Sequence, residues 1–319
     1  MLKCLLRLPL RHFKAYEQKI CFFCGSKITK KNGHVNGAQR YKCYLCGRTF
    51  VGGNRLSSSD IWNDYTKGKQ TYEQLAIKYS CSTRTIQRKI DSVDIKQERS
   101  FEFLANVLID TTYFGRTFGV MVFKNSLSGE VLLKHYVKVE TNKQYYAGIE
   151  ETARRGIRIQ SIICDGRKGL FQMFGAIPVQ MCQFHQTQII TRYLTRNPKL
   201  EATKELRMLS LQITKMSKKE FIFELDKWNE KWANFLKERS ISASTGKSFY
   251  THKTLRSACL NLKRNMPWLF TFEEFAELMI PNTTNALDGL FSDLKNKLRN
   301  HNGLSIERKK KFIDGFFKA

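Results

Sequence analysis

The chain predicts an α/β fold with small modules ahead of it, and three observations carry that reading. Two apolar, β-branched runs, Asn106–Phe114 and Gln160–Gly166, hold an acid near their C-terminal ends, Asp110 and Asp165; each reads as a buried strand. Further apolar runs alternate with stretches of helical period after them, the pattern of a sheet with helices packed on it. Ahead of them lie two C-x-x-C pairs and three short helical patterns.

At 319 residues the chain has room for two or three domains and at least one sizeable core. Its 42% hydrophobic and 12% aromatic content is that of a globular protein. Fifty-five Lys and Arg against 28 Asp and Glu give a net charge of +27. An excess of that size implies a polyanionic partner, nucleic acid before membrane, and no apolar run is long enough to span a bilayer. Met1–Leu10 is interrupted by Lys3, Arg7 and Pro9, which makes a poor signal peptide. Of nine cysteines, four sit in the paired units and the rest are scattered, a usage that fits a reducing cytosol with a metal site better than a disulfide scaffold.

Cys21-Phe-Phe-Cys24 and Cys43-Tyr-Leu-Cys46 have the spacing of a four-thiolate structural zinc site, one Zn²⁺ per chain. Gly25 and Gly47 follow the pairs and permit the tight turn of a metal knuckle. Gly33 and Gly37 are expected to mark turns of a small β-ribbon, with Gln39–Lys42 as a strand. His34 lies between the pairs, but four thiolates already close a tetrahedron, so it is read as a solvated turn residue. So small a module has almost no core of its own, and the metal supplies its folding free energy.

After Gly52-Gly-Asn54 come three helical patterns: Asp60–Lys67 with Ile61, Trp62 and Tyr65 inward, Thr71–Tyr79 with Leu75 and Ile77 inward, and Thr83–Ile90 capped by Ser82 with Ile86 and Ile90 inward. The last exposes Thr83, Arg84, Gln87 and Arg88, the short polar and basic residues that a recognition helix offers to base edges and phosphates. A solvated helical linker would look similar. Behind a zinc ribbon, in so basic a chain, the helix-turn-helix is the preferred reading.

Strands are expected at Val107–Phe114, Thr117–Lys124 and Val131–Val139, a helix over Asn142–Arg155 with Tyr146, Ile149 and Ala153 inward, and a strand over Ile157–Cys164. A short helix at Lys168–Phe174 and a strand at Pro178–Cys182 follow. Two adjacent strands ending in Asp would hold oxygen ligands suited to Mg²⁺ or Mn²⁺; a lone Asp of this kind more often caps a turn. Between His185 and Asn282 the period is helical, with Phe221, Leu225, Trp228 and Trp232 as one apolar stripe and a second, basic helix over Lys253–Arg264. Ser242–Ser248 lacks the G-x-x-x-x-G-K-[ST] pattern, which excludes an ATP loop.

Leu108-Ile-Asp-Thr-Thr-Tyr-Phe114, Cys164-Asp-Gly-Arg-Lys-Gly-Leu170, Cys182-Gln-Phe-His185 and Thr284-Asn-Ala-Leu-Asp-Gly289, in that order, resemble the Mutator-like bacterial insertion-sequence transposases of the zinc-ribbon and helix-turn-helix branch. The resemblance covers about Cys21 to Phe317. It implies an N-terminal extension at 1–18, a zinc ribbon at 19–52, a helix-turn-helix domain at 57–95, and an RNase H-like catalytic domain at 101–319 with a helical insertion at 186–281. The catalytic acids it implies are Asp110, Asp165 and Asp288. The family usually has Glu at the third position, so this chain reaches its metal with one methylene fewer. The family's C-x-x-H motif falls on Cys182 and His185, where His185 either works beside the acids or is a buried structural residue; two ligands are too few for a closed zinc site.

Lys295 returns to the face of Asp288 after two helical turns and, with Lys297, Arg299 and His301, is expected to grip DNA phosphates. Asp293 points elsewhere on the same helix. The implied activity is metal-dependent cleavage and strand transfer on double-stranded DNA, using two Mg²⁺ (or Mn²⁺) per site. The partners are element ends and target, the acting form a homodimer or larger assembly, and the setting the bacterial cytoplasm at the nucleoid. Two rival readings are a non-catalytic DNA-binding regulator or domesticated transposase, and an RNase H-like nuclease or resolvase that cuts without joining.

Overall fold

The computed structural model describes residues 19–51, 56–95 and 104–317; the readings of the N-terminal extension and of Gly52-Gly-Asn54 fall outside them. The chain divides into two compact units, one running to Asn63 and including Tyr72–Val93, the other comprising Asp64–Thr71 and everything from Asp94.

In the first unit, β1 (Thr29–Val35), β2 (Ala38–Cys43) and β3 (Thr49–Val51) form an antiparallel sheet in that order. Val35 pairs with Ala38 across Asn36-Gly37, whose φ values of 49° and 76° are both positive. That is the two-residue turn whose twist matches the flanking strands. Gly33, expected to mark a turn, lies inside β1 where the register slips between Lys31 and His34, so its missing side chain serves a bulge. His34 is exposed on the same strand.

Three helices complete the modules ahead of the large sheet: α1 (Ser58–Thr66), α2 (Tyr72–Lys78) and α3 (Thr83–Asp91). The Ser82 hydroxyl accepts from the Thr85 amide at 3.2 Å and caps α3. Ile61, Trp62, Tyr65, Leu75, Ile86 and Ile90 are buried. Ile77 is not: it is 81% exposed. Two positions along a helix turn about 200°, so Leu75 and Ile77 cannot share a face.

The second unit is built on a five-stranded mixed sheet. Its strands are β4 (Leu104–Phe114), β5 (Phe118–Asn125), β6 (Val131–Val137), β7 (Arg158–Cys164) and β8 (Val179–Met181), in the order β6-β5-β4-β7-β8. The first three pair antiparallel and β7 and β8 join parallel, which requires the crossover helix α4 (Asn142–Arg154) between β6 and β7. The expected inward set of α4 is one position out of phase. Tyr145, Gly148, Ile149 and Thr152 are buried, while Tyr146 and Ala153 are exposed.

Gly148 explains the shift. A Cβ there would stand 2.0 Å from Cζ of the Phe123 ring, so the closest approach of α4 to the sheet occurs at a residue with no side chain to count. Gly148→Ala is expected to cost about 1–3 kcal/mol through overpacking, read as a lowered midpoint in chemical denaturation.

Beyond β8 come α5 (Gln183–Leu194), α6 (Glu201–Gln212), α7 (Lys218–Lys231) and α8 (Ala233–Lys237). An exposed hairpin of β9 (Arg239–Ile241) and β10 (Ser248–Tyr250) follows, then α9 (Lys253–Leu269) and α10 (Thr271–Glu274). The hairpin interrupts a segment that reads as wholly helical, and α9 runs past Arg264 through Pro267. The α7 stripe is inward as expected, Phe221, Leu225 and Trp228 buried and Trp232 packed against them.

Three buried glutamines, Gln180 on β8 and Gln183 and Gln186 on α5, fasten α9 in place. The Gln180 and Gln183 amides both donate to the Leu269 carbonyl at 2.9 Å. Gln186 donates to Asn261 at 2.9 Å and accepts from Asn265 at 2.7 Å. Buried amides with every polar atom matched fix one arrangement of α9. The chain ends with α11 (Asn285–Arg299) and α12 (Ile306–Phe316). Among the described residues no helix is long and apolar enough to cross a membrane.

Candidate active site

Two strands and one helix converge on an acidic site. Leu108 of β4 pairs with Ile163 of β7 in parallel register. Asp110 and Asp165 each lie two residues beyond that pair, so the register brings them out side by side, since positions two apart share a face of the sheet. Asp288 arrives from the first turn of α11. Ligand atoms of Asp110, Asp288 and His185 all lie within 4.8 Å of one another. Asp165 is not a member of that cluster but is close enough to raise the pKa of Asp110 by charge repulsion.

The segment Asn282–Thr284 carries Asp288 into place through Cys182. The Cys182 sulfur accepts from the Thr284 amide at 3.3 Å and its hydroxyl at 3.4 Å. One residue on, the Gln183 amide donates to the Asn282 carbonyl at 3.0 Å, and the Asn282 side chain returns a bond to Gln183 at 3.1 Å. Thr284 is therefore not a conventional cap: its hydroxyl turns away from its own helix, toward Cys182 and Nδ1 of His185. The C-x-x-H motif thus clamps the start of α11 while presenting His185 to the acids. Cys182→Ala removes a buried acceptor from two donors and is expected to cost about 1–3 kcal/mol, measurable by denaturation; Thr284→Val, which spares the amide bond, should cost less.

The electrostatics follow from burial. Desolvation pushes Asp110 up to about 7, reinforced by Asp165 and Asp288 and opposed by the Thr111 amide, which donates to it at 2.7 Å, and by His185. Burial likewise raises Asp165. His185 is pushed up to about 9, first by its hydrogen bond to Cys182, against desolvation, and further by Cys182, Asp110 and Asp288. Cys182 is held below the usual thiol range despite its burial, because His185 and Thr284 favour the thiolate. One carboxylate oxygen, Oδ2 of Asp288, is buried with no hydrogen-bond partner. An orphaned buried carboxylate oxygen beside a second carboxylate is a donor pair that fits a divalent cation.

Behind the acids runs a network that sequence reasoning missed. Thr111, next to Asp110, bonds the Tyr145 hydroxyl at 2.8 Å, and Tyr145 donates to Glu140 at 3.0 Å. Arg167, two residues after Asp165, pairs with Glu140 at 2.8 Å and donates to Asn142 at 2.6 Å. Residues flanking both acids are thereby tied to the start of α4. Asp110-Thr-Thr and Asp165-Gly-Arg carried the only available signal, and nothing in the sequence linked them to Glu140.

The basic residues sort differently from expectation. Lys295 and Arg299 line a shared cavity. Lys297 pairs with Asp293 at 2.9 Å and lies over the Phe316 ring, which accounts for its charge locally. His301 is 6% exposed, packed between Tyr65 and Phe312, and burial lowers its pKa; a buried neutral ring cannot grip phosphate. On α3, Thr83, Arg84 and Arg88 are exposed and Gln87 is half-buried.

The four ribbon cysteines form a second group that could hold a metal ion. Their sulfurs all lie within 4.8 Å of one another, with Cys21–Cys46 and Cys24–Cys43 at 3.6 Å. A zinc tetrahedron with bonds of about 2.3 Å has edges of roughly 3.8 Å. Gly25 and Gly47 both take φ of 72°, and their amides donate back to Cys21 and Cys43, so the two knuckles repeat one geometry. The Cys46 amide, ahead of an opposing desolvation, pulls Cys43 down to about 6, while Cys24, against the Ser26 amide, is pushed up by desolvation and its neighbouring thiols.

No family model matches the chain, and no curated protein matches it. Among solved structures, it is similar to a chain of the simian T-cell lymphotropic virus intasome in complex with the PP2A regulatory subunit B56 gamma. That match has 11% identity over 65% of this chain and 66% of the other, with a TM-score of 0.23. It is also similar to the Drosophila P element transposase strand transfer complex, at 13% identity over 83% of this chain and 92% of that one, with a TM-score of 0.38. At overlaps this loose, the functional reading rests on the residues of the site.

Proposed function

We propose that the chain is a DNA transposase of the kind its motifs resemble, with an RNase H-like catalytic domain behind a zinc ribbon and a helix-turn-helix. The observation that carries this is the meeting of Asp110 and Asp288, from opposite ends of the large unit, within 4.8 Å, with Oδ2 of Asp288 left without a partner. Asp110, Asp165 and Asp288 would hold two Mg²⁺ (or Mn²⁺), which supply an activated water or 3′-hydroxyl and stabilise the leaving oxygen.

The chain's own groups do the rest. The Thr111 amide fixes one Asp110 oxygen, and Arg167 and Glu140 hold the loop after Asp165. His185, whose bond to Cys182 favours the protonated ring, would place a positive charge beside the acids where a phosphate would lie. Arg84, Gln87 and Arg88 on α3 read the element's terminal inverted repeats, and Lys295 and Arg299 meet phosphates nearer the acids. The four cysteines hold one structural Zn²⁺. Paired ends call for a homodimer or larger assembly, acting on cytoplasmic, nucleoid-bound DNA.

The test is incubation of the chain with a plasmid carrying the DNA that flanks its own coding sequence, with Mg²⁺ or Mn²⁺. Nicks leaving 3′-hydroxyls at fixed ends, followed by joined products, are expected. Tight, salt-sensitive binding without any cut would instead make it a DNA-binding regulator, and cutting without joining a nuclease.

A further inference from the structure

A solvent-open cavity of about 280 Å³ lies between the end of β4 and α11. Lys295, Arg299 and Lys309 line it, and no acidic side chain does. None of the three makes an ion pair among the described residues, unlike Lys297 midway between Lys295 and Arg299 in sequence. Phe114 forms part of the wall. It stacks on Phe118 at 5.4 Å and 27°, and Phe118 meets Tyr136 edge-on at 5.8 Å. Phe118 is buried and Lys310 covers both it and Tyr136. Phe114 is the half-buried outer end of this aromatic series.

An aromatic face beside unpaired cations is the chemistry that holds an unstacked nucleotide: the ring takes the base and the cations take its phosphates. Position supports the same ligand. Phe114 is four residues past Asp110 on β4, about 13 Å at strand rise. Lys295 is seven past Asp288 on α11, about 10 Å at helix rise. Both elements set the cavity a similar distance from the acid pair, a few nucleotides along a strand with an axial rise of about 3.4 Å each. The volume admits one nucleotide and not a duplex.

We propose that this cavity is a nucleotide subsite that takes one unpaired DNA base on Phe114, with its phosphates on Lys295, Arg299 and Lys309, while a phosphate a few nucleotides along the same strand lies at the acids. The assignment of the strand rests on the DNA-processing reading; the binding itself does not require cleavage.

The test measures fluorescence polarisation of the full chain with a labelled oligothymidylate and with a labelled duplex of equal length. Phe114→Leu keeps apolar volume but removes the π face. It is expected to weaken single-strand binding by roughly 5- to 100-fold, with duplex binding changed by less than about twofold. Lys295→Gln with Arg299→Gln should flatten the single-strand salt dependence by about 1.4 in log–log slope, about 0.7 per lost phosphate contact. Unchanged single-strand binding in Phe114→Leu, or equal losses on both probes, overturns the subsite. Asp110→Asn is carried in parallel. Phe114-dependent binding in a chain that never cuts DNA would support the subsite and refute the cleavage reading, whereas cutting by a chain whose single-strand affinity ignores Phe114 would do the reverse.

Discussion

Asp110→Asn and Asp288→Asn are each expected to lower DNA strand cleavage by roughly 10³-fold or more, since each removes a charge from a group worth several kcal/mol of transition-state stabilisation. Asp110→Asn should act oppositely on the metal-free fold. Asp110 is half-buried beside two other acids and desolvation pushes its carboxyl up to about 7, so ionising it at neutral pH opposes folding. The sign is fixed: a carboxyl whose folded pKa lies above its unfolded value loses stability as pH rises from about 4 through about 7. Asp110→Asn should therefore raise the melting temperature in chelator. The parent chain should gain thermal stability on adding Mn²⁺, by mass action on the folded state, and the variant should gain little. A variant that melts as the parent does in both conditions, or cuts DNA at the parent rate, would remove Asp110 from the site.

Loss of the ribbon metal should have the other large effect. The ribbon's buried cluster consists of Cys21, Cys43 and Phe50, with Tyr41 packed against it, and two of those three core residues are themselves the proposed ligands. Structural zinc contributes apparent binding free energies of about 10–16 kcal/mol in small domains, far more than such a cluster can supply. Cys43→Ser, or a strong chelator, is expected to release one zinc per chain by elemental analysis. Amide exchange should then become unprotected across 29–51, with protection on β4, β5 and β7 retained. Equal protection with and without metal would refute a structural zinc there.

Much of this was legible in the chain because it is local. C-x-x-C followed by Gly fixes a knuckle within five residues, and both knuckles take the expected positive φ. Ser82 caps α3 as its sequence predicts, and apolar, β-branched runs located the strands of the large sheet. Local reasoning failed where a contact has no apolar side chain to announce it. Gly148 against Phe123 shifted the inward face of α4, and a run of basic residues concealed that His301 is core.

The amino-acid order determined which carboxylates, thiols and basic residues the protein possesses, and on what kind of element each stands, because those preferences act over a few residues. Only the tertiary structure decided that Asp110 and Asp288 meet, that Cys182 is the clasp that makes them meet, and that Phe114 and Lys295 face one cavity. Each of these joins residues too distant in sequence for any local pattern to couple; packing and buried hydrogen bonds hold them together, and those exist only once the chain has closed.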